Sequence, residues 1–169
     1  MGLLQVATST VTSAVSSVTL TGIDSDDVYK VVISKCVPAT DTVFLSLRAT
    51  ESGTPNTTAN YDGAGKLLRS DTTFSNSNDT NSTSLFLLGN NTGTGTGEQI
   101  NLINYIFNAN NSGEYTFFTT ENNFLDNAGN LNGQQGGGVF TVASSVNGVQ
   151  YFFSSGNIAS GTFTLYKVT

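Results

Sequence analysis

Histidine is absent from the 169 residues, and cysteine occurs once, at Cys36. The first absence removes the side chain most used as a general base near neutral pH and as a metal ligand. The second excludes an intrachain disulfide and any metal site built on several thiolates. Cys36 lies in the apolar run "VVISKCV" and reads as a buried strand thiol. Charge is scarce too. Asp, Glu, Lys and Arg make up 11% of the chain, against roughly 25% in ordinary soluble domains. The net charge of -6 and the scatter of Lys30, Lys35, Arg48, Lys66, Arg69 and Lys167 argue against nucleic acid, whose phosphates need clustered bases. No apolar run reaches the roughly 18 residues of a membrane span. The opening "MGLLQVATSTVTSAV" has no basic segment, so no secretory leader is expected. Val6 stands where an N-myristoylation motif wants Ser or Thr.

What fills the chain is Thr, Ser, Asn and Gly, with 11 Phe and 6 Tyr. The aromatics and the many Val and Ile supply more core than a disordered chain carries. Helical periodicity is nearly absent. Short apolar blocks rich in Val, Ile, Phe, Tyr and Thr alternate with clusters of Gly, Asn, Asp and Ser, the pattern of strands and turns. About ten short strands are expected, near Val15–Thr21, Val28–Lys35, Val43–Thr50, Lys66–Ser70, Ser84–Leu88, Gln99–Asn108, Glu114–Thr120, Gly138–Ala143, Val149–Ser154 and Gly161–Val168. In "GTFTLYKV", Phe163, Leu165 and Lys167 fall on one face. "INLINYIF" reads as a central strand buried on both faces. "VNGV" carries the Asn-Gly pair of a type I′ hairpin, which would join "GGGVFTVASS" to "GVQYFFSS".

These signals predict an all-β fold with no substantial helix: an antiparallel β-sandwich, jelly-roll-like in kind. Residues 13–169 would form one sandwich domain. Residues 1–12 would be an N-terminal arm that orders against a neighbour. Glu51–Gly65 and Glu121–Gly138 read as the long exposed loops.

Chemistry-bearing motifs are few. "NNTGTGTGEQI" spaces Gly93, Gly95 and Gly97 two apart, with no Lys following and with Glu98 where a phosphate loop would carry positive charge. It reads as a turn before a strand. Asp24, Asp26 and Asp27 in "GIDSDDVY" are candidate calcium ligands, although the EF-hand spacing fails and a solvated turn is the plainer reading. Glu51, Asp62, Asp71, Glu98, Glu114, Glu121 and Asp126 offer carboxylates, but no spacing selects a hydrolytic pair. No nucleophile elbow is present. A protein that is not an enzyme and uses no cofactor is therefore expected. Tyr61, Tyr115 and Phe124 near loops are candidate sugar contacts, while Phe107, Phe117, Phe118, Phe152 and Phe153 read as core. Sequons at Asn56, Asn78, Asn81, Asn90 and Asn110 are what an Asn- and Thr-rich chain produces by chance.

Two end segments, "MGLLQVATSTVTSAVSSVTLTGIDSDDVYKVVI" and "FFSSGNIASGTFTLYKV", together with "TGTGEQ" and "NNSGEYTFFTTE", resemble small β-rich, jelly-roll virion structural proteins of tailed bacteriophages, marine and cyanobacterial ones above all. In that group "SGNIASGTFTLYKV" would be the last hairpin. The resemblance implies a protein on the outer surface of the particle, a capsid decoration protein or a head appendage. Its partners would be the major capsid protein or other virion proteins, and it would be a homo-oligomer, with a trimer favoured. Assembly contacts are expected at Leu3, Leu4, Val6 and Val11 of the arm. The alternative is a receptor- or carbohydrate-binding module of a tail fibre, meeting a host glycan through the long loops.

Overall fold

Tyr29, Val31 and Ile33 are buried, while Lys30, Val32 and Ser34 between them are half-exposed. That is the two-residue period of a strand with one face on a core. The computed structural model describes residues 2–86 and 91–169, and every regular element among them is a strand. In chain order these are β1 (Leu3–Val11), β2 (Val18–Thr21), β3 (Tyr29–Pro38), β4 (Leu45–Glu51), β5 (Thr54–Pro55), β6 (Tyr61–Arg69) and β7 (Ser75–Ser82). They continue with β8 (Leu85–Phe86), β9 (Ile100–Phe107), β10 (Thr116–Leu125), β11 (Leu131–Phe140), β12 (Gly148–Phe153) and β13 (Ile158–Val168).

All named pairings are antiparallel and form two sheets. The larger runs β1-β13-β3-β9-β10-β11-β6-β7, and the smaller β2-β12-β4-β5, with β8 also on β4. The chain crosses between sheets repeatedly: β1, β3, β9 and β13 lie in the larger, and β2, β4, β8 and β12 in the smaller. First and last strands are therefore neighbours, and Gly2 and Thr169 exchange two backbone hydrogen bonds, of 2.7 and 3.0 Å. The core lies between the sheets. Val18, Leu20, Leu45, Leu47, Val149 and Tyr151 of the smaller sheet share one buried cluster with Tyr29, Val31, Ile33, Leu102, Ile106, Phe118, Phe163 and Leu165 of the larger. Burying each such large side chain contributes about 1.5–3 kcal/mol. The Tyr151 ring meets Phe163 at 5.9 Å. Its hydroxyl donates to Asn104 Oδ1 at 3.2 Å, so a buried polar pair also joins the sheets.

The sandwich class expected from sequence holds; several local expectations do not. The "VNGV" hairpin does not form, because β11 and β12 belong to different sheets. Neither Asn147 nor Gly148 has the positive φ that a type I′ turn requires. Asn147 instead donates to Thr50 O and accepts from Gly22 and Ile23 N–H, so long-range bonds override the local turn preference. The closing hairpin fails in the same way, since β12 and β13 pair with other strands. Residues 3–11 are not an arm. They form β1, registered on β13 from Leu3↔Val168 to Val11↔Gly161 with a bulge at Val6.

The polar run "SNSNDTNS", which falls in none of the expected strands, is β7, an edge strand held by pairing with β6. Much of the two expected loops is strand: β6 starts at Tyr61, and β10 and β11 close into a hairpin around residues 126–130. β9 is buried on one face only. Ile100, Leu102, Asn104 and Ile106 face the core, and Asn101, Ile103, Tyr105 and Phe107 are half-exposed. The expected strand at residues 84–88 is seen as β8; its last two residues, like Asn90, lie outside the described residues.

Candidate functional site

The three aspartates of the β2–β3 turn do not converge on one point. Lys167, on the core-facing row of β13, reaches the turn from the end of its strand. Its Nζ lies 2.7 Å from Asp27 Oδ2 and 3.9 Å from Asp24 Oδ1, and it donates to Ser25 Oγ at 2.8 Å. The Tyr29 hydroxyl donates to Asp24 Oδ1 at 2.8 Å. That bond first, and then the Lys167 charge, hold the Asp24 carboxyl below its usual value. The Lys167 hydrogen bond and then that of Ser25 do the same for Asp27. Asp26 points elsewhere and accepts from Asn111 Nδ2 at 3.0 Å. An ammonium, not a cation site, lies between Asp24 and Asp27. The signal was in the sequence: an inward-phased Lys at a strand end needs an acid partner. Among the described residues no three acidic or thiol side chains gather as a metal group would.

The described part of that motif, "NTGTGTGEQI" from Asn91 to Ile100, folds back on itself. Glu98 Oε2 accepts from Gly95 N–H at 2.6 Å, and Glu98 N–H donates to Gly95 O at 3.1 Å. Gly97 has φ +87, which side chains disfavour. A carboxylate therefore occupies the amide that a phosphate would seek.

The other acids are dispersed among local partners. Glu51 accepts from Asn56, Glu121 from Gln135, Asp62 from the Asn81 N–H, and Asp71 from Arg69. Asp126 is buried at the β10–β11 turn. Burial opposes its ionisation, but the N–H groups of Asn130 and Ala128 and the Asn132 amide outweigh it and lower its pKa. It fixes the hairpin. Of the expected sugar contacts, Tyr61 and Phe124 are core residues and Tyr115 is exposed. Phe118 and Phe153 are core as expected, whereas Phe117 is 47% exposed. Phe107 and Phe152 are half-exposed, the latter under the Arg48 guanidinium at 4.2 Å.

The expected assembly residues divide along β1. Leu3 and Leu4 are 51% and 59% exposed, Val6 is half-buried at the bulge, and Val11 is core. β1 ends the larger sheet, and no charged side chain or proline occurs before Asp24. Sheet edges are usually blunted by both.

No protein-family model matches the chain, and no curated protein matches it in sequence.

Proposed function

We propose that this chain is a non-enzymatic structural protein of a tailed-phage particle, a capsid decoration or head-appendage protein that acts by adhesion to neighbouring subunits. The observation that carries the reading is β1: a nine-residue terminal strand with no charge, no proline and two exposed leucines. Its open edge offers N–H and C=O groups to another chain, and Leu3 and Leu4 add apolar area. The strand order supports the same class. β1-β13-β3-β9 and β2-β12-β4-β8 match the two four-stranded halves of a jelly roll, with β6–β7 and β10–β11 as inserted hairpins. Jelly rolls recur in viral shells and in lectins. The end segments that resemble phage virion proteins contain β1, β2, β13 and the first half of β3. On this reading the protein sits on the outer surface of the virion, bound to the major capsid protein or to copies of itself, with a trimer favoured.

Two measurements test it. Protein quantification in purified particles should find a copy number comparable to that of the major capsid protein. A few copies per particle would move the protein to a tail or vertex, and absence would overturn the reading. Sedimentation of the purified chain should show an oligomer that Leu4→Lys with Thr8→Lys dissociates. An oligomer unchanged by both substitutions would remove β1 from the interface.

A further inference from the structure

We propose that the outer face of the larger sheet, where the inserted strands meet β3 and β9, is a groove that binds a neutral oligosaccharide. This stands independently of any particle assignment. The registers place Val32, Ile103, Glu121, Gln135 and Lys66 in one row across five adjacent strands. The next row on one side holds Asn101, Asn123, Gly133 and Leu68, and on the other Lys30, Tyr105, Thr119 and Gly137.

Val32 of β3 and Leu68 of β6, four strands apart in the sheet, line the same depression of about 420 Å³. The sheet therefore curls around it. A second depression of about 360 Å³ shares Ile103, Glu121 and Gln135 with the first and extends to Tyr105 and Gly136. Together they make a continuous trough of ligand-binding size. The inserted hairpins create it, because Glu121, Asn123, Gln135 and Leu68 all lie on strands that those insertions add.

A neutral sugar presents hydroxyls that both donate and accept, set between patches of C–H. Amide side chains match the first property, since each has a donor and an acceptor, and aliphatic or aromatic surface matches the second. The trough supplies the amides of Asn101, Asn123 and Gln135, one carboxylate, and the apolar surfaces of Val32, Ile103, Leu68 and Tyr105. Its polar groups are already held. Gln135 Nε2 donates to Glu121 Oε1 at 2.6 Å, Asn101 Nδ2 to Asn123 Oδ1 at 3.3 Å, and the Lys35 N–H to Asn101 Oδ1 at 3.1 Å. Such preorganisation lowers the ordering cost of binding. Glu121 Oε2, Gln135 Oε1 and Asn123 Nδ2 remain without a partner among the described residues.

Other ligand classes fit less well. An extended peptide needs a free strand edge, and β9, β10 and β11 are paired on both sides. A polyanion would meet a chain of net charge -6 and, in the trough itself, the Glu121 carboxylate, whereas Lys30 and Lys66 of the neighbouring positions line neither depression.

The test is titration of the purified chain with soluble gluco-, manno- and galacto-configured hexasaccharides, beside sialylated and sulfated ones. Glu121→Gln, Gln135→Ala and Tyr105→Ala are compared with the wild type, and their folding is checked by circular dichroism. At least one neutral hexasaccharide should bind, and each variant should weaken it roughly tenfold, the effect of one well-placed contact. Binding of none of the neutral sugars, binding of charged ones alone, or binding unchanged by all three substitutions would overturn the proposal. So would self-association that the same substitutions abolish, since a second copy would then own the groove.

Discussion

The Tyr61 hydroxyl accepts a hydrogen bond from the Ala49 N–H at 3.0 Å, tying β6 of the larger sheet to β4 of the smaller. It also donates to Asn56 O at 2.9 Å, and its ring stacks on Phe140 with centroids 4.9 Å apart. Tyr61→Phe keeps the ring and strands two backbone groups. The expected loss is about 1–3 kcal/mol, the cost of unsatisfied buried polar groups. Urea denaturation measures it, and an unchanged midpoint would mean that water replaces the hydroxyl.

Alkaline pH should unfold the protein through groups buried in their neutral form. Burial pushes the Cys36 thiol from 9.0 up to about 12. Burial likewise takes the Tyr61 phenol from 10.0 to about 12, and it raises Tyr151 as well. A raised folded-state pKa means that the unfolded chain loses its proton first. The associated stability is complete below the unfolded values and is lost as pH climbs through the folded ones. Melting temperature should hold steady up to about pH 9 and then fall, in step with tyrosinate absorbance. A fall that begins at neutral pH would point to other groups.

The clasp between Lys167 and the aspartate turn should respond to salt and acid rather than to calcium. Asp24 and Asp27 titrate low, so their contribution is present above the usual carboxylate value of 3.8 and is lost as pH falls through the lowered ones. Lys167 titrates high, so its share is lost only as pH rises past 10.5. The aspartates are solvent-exposed and Lys167 partly so, and the cluster is screened. Lys167→Gln should therefore lower the melting temperature slightly and reduce its salt dependence. Adding calcium or a chelator should leave the wild-type melting temperature in place, and a calcium-dependent rise would show that the ammonium is displaceable.

Gly136→Ala tests the tight seam between β11 and β6. A Cβ at this position would stand 2.5 Å from Ala64 O and 2.7 Å from Gly65 Cα, both of them backbone. The strands must separate, which should cost about 1–3 kcal/mol, as overpacking does. The same substitution should also distort the trough above it. Two-dimensional NMR would then show shifts at Glu121 and Gln135, whereas wild-type stability with an unchanged spectrum would refute the close approach.

The strands legible in the sequence were those with one face on the core. "YKVVISKCV" and "LSLRATE" carry their burial in their composition. What stayed hidden carries little or no apolar pattern. "SNSNDTNS" has no apolar residue because neither face of β7 is buried. The part of β11 ahead of the strand expected from Gly138 was concealed by Gly133, Gly136 and Gly137, which say loop by propensity but serve close packing. Asn147-Gly148 spoke for a local turn and was overruled by bonds to Thr50 and Gly22. The site followed the same division. Lys167 was phased correctly, but its partners lie 140 and more residues away along the chain. The trough is a row across five strands, which no linear pattern displays.

The pairing of Gly2 with Thr169 gives the molecule a directional response to force. Because β1 and β13 run antiparallel, their outer ends sit side by side. Tension applied through both ends peels the two strands apart one bond pair after another, so little force is needed at any moment. Tension that enters along β1 and leaves through the opposite end of the sheet loads its hydrogen bonds together, in shear. The same strand is thus weak when peeled and strong when dragged, and the direction of the load decides whether it holds.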